Sequence, residues 1–141
     1  MILIILLLVI SAFIIRDARE PTKLIEVKAR YAKLREHLIK TDTFPNLHKM
    51  IPITAHTVAS GGSVGYNLNK GDAIGLCIDG SVNEIMHVLI HELAHSTVKN
   101  YAHDTKYWDK YKELRDVAIS IGIYEEIPQK SDFCGRHVQD K

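Results

Sequence analysis

The sequence predicts an α+β fold: a small, largely antiparallel sheet flanked by helices, one of which carries a histidine-rich site. Three observations lead there. Apolar residues recur at helical spacing over 22–40 and again over 107–121, short apolar runs are separated by Gly61, Gly62, Gly65 and Gly71, and a pentapeptide His-Glu-Leu-Ala-His lies inside an apolar segment. With 141 residues the chain has room for one core of ordinary size. It is 46% hydrophobic and 25% charged, which excludes a disordered or low-complexity protein. Eighteen Lys and Arg against seventeen Asp and Glu give a formal charge of +1, which excludes a strongly basic nucleic-acid coat.

Fourteen of the fifteen residues Met1 to Ile15 are apolar, Ser11 being the exception. As a helix they span roughly 22 Å, against a hydrocarbon core of about 30 Å, the length of a secretory signal core or a short anchor. No Lys or Arg precedes Arg16, and Arg16-Asp17-Ala18 is a poor cleavage site. An uncleaved N-terminal hydrophobic anchor over residues 1–15 is therefore expected, with a single domain over 16–141. The basic residues Arg16, Arg19, Lys23, Lys28, Arg30, Lys33 and Arg35 just after it would keep that domain in the cytoplasm, giving a single-pass membrane protein. In a reducing compartment Cys77 and Cys134 are expected as thiols.

Leu24, Val27, Tyr31, Leu34 and Leu38 recur at three and four residues, the stripe of an amphipathic helix packed on the domain. Residues 41–53, with Pro45 and Pro52, read as an irregular connection. The runs 53–58, 64–68 and 73–78 read as strands, the last two joined by an Asn69-Lys70-Gly71 turn, because Asn and Gly tolerate positive φ. Ser81 or Asn83 is the expected N-cap of a core helix running to Val98, with Glu84 in its first turn. Asp104 is expected to cap a third helix that Gly122 ends. The tail from Ile123 reads as irregular.

His91 and His95 lie four apart on the core helix, so they share a face and can present imidazole nitrogens to one Zn²⁺, with Glu92 beside the metal. A catalytic zinc site needs a third protein ligand and an open position. His103, eight residues after His95, suits a helix that ends, reverses at Asn100-Tyr101-Ala102 and returns; Asn100 can adopt the left-handed conformation a tight helix end requires. Asp104, Asp109 and Glu113 are the alternatives. His87 also lies four residues from His91, but about 12 Å along the axis from His95, too far to share the ion, and is expected to be packed or to support the ligands.

The segment His91 to Trp108, HELAHSTVKNYAHDTKYW, resembles the WLM family of zinc metallopeptidases, relatives of the SprT and Spartan-like proteases, whose motif joins HELAH to a His-Asp and an aromatic pair. Asn69-Lys70-Gly71, Leu76-Cys77-Ile78 and Phe133-Cys134-Gly135 resemble the small versions encoded by large DNA viruses, and the likeness covers residues 55–138. The aromatic pair is Tyr107-Trp108 here, and the His95 to His103 spacing is longer than in some cellular members. The resemblance implies an α+β, zincin-like fold, His91, His95 and His103 as zinc ligands and Glu92 as catalytic acid/base. It also implies protein substrates, extended to nucleic-acid-linked proteins by family analogy alone.

The expected chemistry is zinc-dependent endopeptidase hydrolysis of a protein or peptide substrate, with Glu92 as general base. Tyr101, Tyr107 or Tyr124 is a candidate to assist the oxyanion, and the strand 73–78 would pair with an extended substrate if it forms the sheet edge. The competing expectation is a membrane-tethered zinc-binding scaffold without turnover, which would have no need of Glu92.

Overall fold

The computed structural model describes residues 1–141 apart from the Ser60 side chain. Four α-helices, α1 (Ile2–Asp17), α2 (Thr22–Lys40), α3 (Val82–His95) and α4 (Thr105–Ser120), accompany five short strands: β1 (Ile53–His56), β2 (Gly65–Leu68), β3 (Ala73–Cys77), β4 (Ser131–Phe133) and β5 (Arg136–Val138). The class is α+β, as the sequence predicts.

All five residues of the predicted α2 stripe are buried, and they pack against α3. Burying each stabilises the fold by about 2 kcal/mol relative to leaving it in water. The Tyr31 hydroxyl at the centre of that face accepts the Ile51 N–H at 3.0 Å, so the one polar atom of the stripe has a partner.

The main sheet has the order β1-β3-β2 and is mixed, not largely antiparallel: β1 runs parallel to β3 with Ile53 opposite Ile74, and β2 runs antiparallel with Gly65 opposite Leu76. The reason lies in β3, where Ile74, Gly75, Leu76 and Cys77 are all buried. Such a strand belongs in the middle of a sheet, and the 3-10 turn Val58–Ser60 carries the chain across from β1 to the far side of it. Both edges of β3 are therefore used, and the expectation that 73–78 pairs with substrate is corrected: the outer edges of the sheet belong to β1 and β2. The β2–β3 turn is as expected, with Asn69, Lys70 and Gly71 at φ 47°, 54° and 125°.

Ser81 caps α3 in a reciprocal box: its hydroxyl accepts the Glu84 N–H at 3.2 Å and the Glu84 carboxylate accepts the Ser81 N–H at 2.9 Å. The helix ends at His95, a turn earlier than predicted, through tightened Ser96 to Leu93 and Thr97 to Ala94 bonds of 3.0 Å. Asp104 caps α4 by accepting the Tyr107 N–H at 3.0 Å. At its other end Gly122, at φ 75°, donates to Ile119 while Ile123 donates to Ala118, so the last carbonyls are satisfied.

Two expectations for the cysteines and the tail are overturned. Residues 131–138 form an antiparallel hairpin, too short for its alternation to stand out in sequence, that turns at Cys134 and Gly135 with φ 51° and 73°. The hairpin returns to β3, and Cys77 and Cys134, 57 residues apart in sequence, form a disulfide with their Cα atoms at 6.5 Å instead of remaining thiols.

The N-terminal anchor is also corrected. Among the described residues no helix is long and apolar enough to cross a membrane. Helix α1 has 16 residues, roughly 24 Å, and Arg16 and Asp17 end its apolar run. The single-pass topology, and the cytoplasmic placement argued from the flanking charges, fall with it. None of the α1 residues is buried.

Closing so long a loop constrains the unfolded chain, so Cys134→Ser is expected to lose about 2–4 kcal/mol of stability in urea unfolding. Wild type under reductant should match the variant; coincident curves for oxidised wild type and variant would show that the bond contributes nothing.

Candidate metal centre

Helix α3 is buried along most of its surface and turns His87, His91 and His95 toward one side, with Glu92 next to them. His103 arrives from the loop before α4. Its Nε2 stands 3.1 Å from Nε2 of His91 and 3.0 Å from Nε2 of His95, and the ligand atoms of the three residues all lie within 4.8 Å of one another. A ring nitrogen has one hydrogen or one in-plane lone pair, so His103 Nε2 cannot satisfy both neighbours by hydrogen bonding. A cation among the three satisfies all of them, and nitrogens about 2.05 Å from a tetrahedral ion lie about 3.3 Å apart. The donor set thus fits a zinc-like ion.

The electrostatics agree. Burial, reinforced by the neighbouring imidazoles, lowers His91 to about 3 and His95 to about 4, so both rings are neutral and offer lone pairs at physiological pH. The Nδ1 of His95 is buried without a partner, leaving Nε2 as the nitrogen that ring brings to the cluster. Burial alone raises the Glu92 carboxyl to about 7. Gly65 makes room for it: a Cβ there would stand 2.5 Å from Val88 Cγ1 and 3.3 Å from Glu92 Oε1.

The aromatic pair Tyr107-Trp108 walls the cluster, Tyr107 with its ring 4.5 Å from that of His95 and Trp108 stacked 5.7 Å from that of His103. The Tyr107 hydroxyl donates to the His91 carbonyl at 2.9 Å and is thereby committed. Tyr124 donates to Asp140, and Tyr101 is an exposed ring beneath Lys70. None of the three tyrosines considered for the oxyanion lines the cavity onto which His91, Glu92 and Trp108 open. The alternative third ligands are accounted for as well: Asp104 caps α4, Glu113 pairs with Lys110 at 2.8 Å, and Asp109 lines a separate depression with both.

Sequence reasoning missed Lys70. From the β2–β3 turn its ammonium donates to the carbonyls of His95, Val98 and Asn100 and lies 4.4 Å over the Tyr101 ring. A cation placed on the last carbonyls of α3 satisfies the helix end and orders the loop that delivers His103. Asn100 is not in the left-handed conformation expected of it; its side-chain oxygen accepts the Ala102 N–H at 3.2 Å instead. Nothing in an Asn-Lys-Gly turn announces that its lysine reaches 25 residues down the chain. Asn67 on β2 adds a second tie, donating to the Glu92 carbonyl at 2.7 Å and to Ser96 Oγ at 2.8 Å.

His87 begins the same stripe, its Nδ1 near Tyr124 Oη at 3.1 Å, Tyr111 Oη at 3.2 Å and Asp140 Oδ1 at 3.4 Å. Asp140 also accepts the Tyr111 and Tyr124 hydroxyls and the Ile127 N–H. Burial pushes its carboxyl up, but those donors outweigh burial and hold it well below the usual carboxylate range.

Comparison with known proteins agrees with the architecture. The WLM domain family matches residues 30–141, so the chain belongs to that family. It is also similar to an uncharacterized protein, 136R, of Invertebrate iridescent virus 6, with 36% identity over 53 residues, 37% of this chain. The matched segment spans 30% of that viral protein's length. No solved structure matches the chain.

Two outcomes check this account. In Lys70→Met the amides of residues 98–103 should exchange hydrogen at least several-fold faster than in wild type, with β1 and α2 unchanged; equal rates would remove Lys70 from the loop's support. Asp140→Asn should cost about 3 kcal/mol at neutral pH. Because the folded carboxyl is held below its unfolded value, that stability is complete above about pH 4 and is lost as pH falls through the folded value. Urea unfolding across pH should therefore show the gap to wild type narrowing below about pH 4, whereas a constant gap would contradict the ionised, paired carboxylate.

Proposed function

We propose that this chain is a zinc-dependent endopeptidase acting on extended peptide segments, with His91, His95 and His103 as the metal ligands and Glu92 as the general base. The observation that carries the reading is the convergence of three imidazole nitrogens beside a buried carboxylate raised to about 7. Membership of the WLM domain family supports it, since the family is of metallopeptidase type. Zinc, when bound, supplies a Lewis acid that polarises a carbonyl and acidifies water.

Within the cleft, about 420 Å³ and lined on one side by Ser63 to Gly65 and on the other by Arg136 to Gln139, a substrate strand can pair with the free edge of β2. Glu92 takes the proton of the attacking water and returns it to the leaving amine, a task for which a carboxyl near neutrality is matched. Gly65 keeps the carboxylate free to move between the two positions by leaving no side chain against it. Tyr107, held on the His91 carbonyl, fixes the ligands' helix without entering the chemistry.

The test is metal content by elemental analysis together with hydrolysis of an unfolded protein such as casein. Wild type should hold about one zinc per chain; His91→Ala should lose it and His103→Ala should hold it far more weakly. Glu92→Gln should keep zinc and lose at least about a thousandfold in kcat. A folded wild type without zinc, or equal behaviour of wild type and Glu92→Gln with zinc bound, would sink the enzyme reading, the second result leaving a metal-binding scaffold.

A further inference from the structure

The buried arrangement behind His87 fixes which of its nitrogens carries hydrogen. Tyr111 and Tyr124 each have one hydroxyl hydrogen, and each gives it to Asp140. Asp140 is ionised and accepts only. Three acceptor oxygens thus surround His87 Nδ1 at 3.1–3.4 Å, and Nδ1 must be the protonated nitrogen. In the neutral ring Nε2 is then a bare acceptor. Nε2 has no protein partner among the described residues, yet it is not one of the buried unpaired atoms, so it reaches solvent. The solvent it reaches is the cleft, because His87 lines the same cavity as His91, Glu92, Trp108 and the β5 residues Arg136 and His137.

A histidine kept only for packing has no need of this arrangement. A buried carboxylate and two buried hydroxyls, drawn from α4 and the tail, are spent on orienting one imidazole whose other nitrogen is left open. We propose that His87 is a substrate-binding residue of the cleft, its Nε2 accepting a hydrogen bond from a peptide N–H of the bound substrate, with Asp140 as the positioning residue behind it. The inference rests on the endopeptidase reading and deepens it: β2 reads one side of an extended substrate backbone, and His87, one helical turn before His91, reads a donor on the other. This gives the cleft a preference for main-chain amides over esters at one position.

The experiment uses the zinc-loaded full chain and a short alanyl peptide hydroxamate, compared with analogues in which each backbone N–H in turn is replaced by an ester oxygen. Asn at position 87 can place an amide donor where Nδ1 stands while removing Nε2, so His87→Asn keeps the tie to Asp140; Gln can restore an acceptor near Nε2. Wild type should lose about tenfold in affinity at one ester position. That penalty should vanish in His87→Asn and partly return in His87→Gln, with zinc content unchanged in both. Nitrogen NMR of the metal-free wild type should show His87 protonated at Nδ1, a readout independent of activity and of either variant's folding. Equal ester penalties in wild type and both variants, or an Nε2–H tautomer, would overturn the proposal while leaving the endopeptidase reading in place. Failure of zinc-loaded wild type to bind any of the hydroxamates would instead overturn that reading, and the inference with it.

Discussion

Nine of the fourteen residues of α3 are buried, and two of those nine, His87 and Glu92, are polar. A helix so placed cannot leave polar groups to find water for themselves, since each unpartnered buried group costs on the order of 1–3 kcal/mol. The surroundings of α3 are therefore arranged around its polar stripe. Tyr107 takes the His91 carbonyl, Asn67 the Glu92 carbonyl, Lys70 the His95 carbonyl, and the Asp140 cluster takes His87. Glu92 is the exception: among the described residues its carboxyl receives no hydrogen bond, it lines the cleft, and burial raises it to about 7. The side chain best suited to moving a proton is the one that the fold leaves unsupported.

These partners come from four separate places: β2, the β2–β3 turn, α4 and the tail. This explains what could be read in the sequence and what could not. Periodicity exposes α2, because five apolar residues at helical spacing are a local property, and caps expose the starts of α3 and α4, because Ser81 and Asp104 act on N–H groups three residues away. The grouping of the three histidines is legible for the same reason: a four-residue spacing on a helix is also local, and His103 is only eight residues beyond His95.

The misreadings share the opposite character. The parallel pairing of β1 with β3 depends on the sense in which a connection crosses the sheet, and the disulfide joins residues 57 apart. Lys70 reaches its carbonyls across 25 to 30 residues, and Asp140 reaches His87 across 53. The N-terminal helix is a different case. Its flanking charges and poor cleavage site point to an anchor, but they do not lengthen it, and 16 helical residues fall short of the hydrocarbon thickness.

The tail shows how far the site depends on such distant ties. Ser131 donates to the Glu84 carboxylate at 2.6 Å, bracing the capping box at the start of α3; Cys134 is bonded to β3; Asp140 holds His87 in the middle of the helix. Between these three attachments run Arg136 to Gln139, which form one wall of the cleft. A two-stranded hairpin of three-residue strands is marginal by itself in water. Its order must come from outside its own pairing, from these attachments together with the burial of Phe133 and Val138 in the core, so the wall beside the metal site is positioned by covalent, polar and apolar contacts with the body of the domain. The cleft is thus a consequence of how the tail is tied down, and whatever loosens one tie acts on the site without touching a ligand.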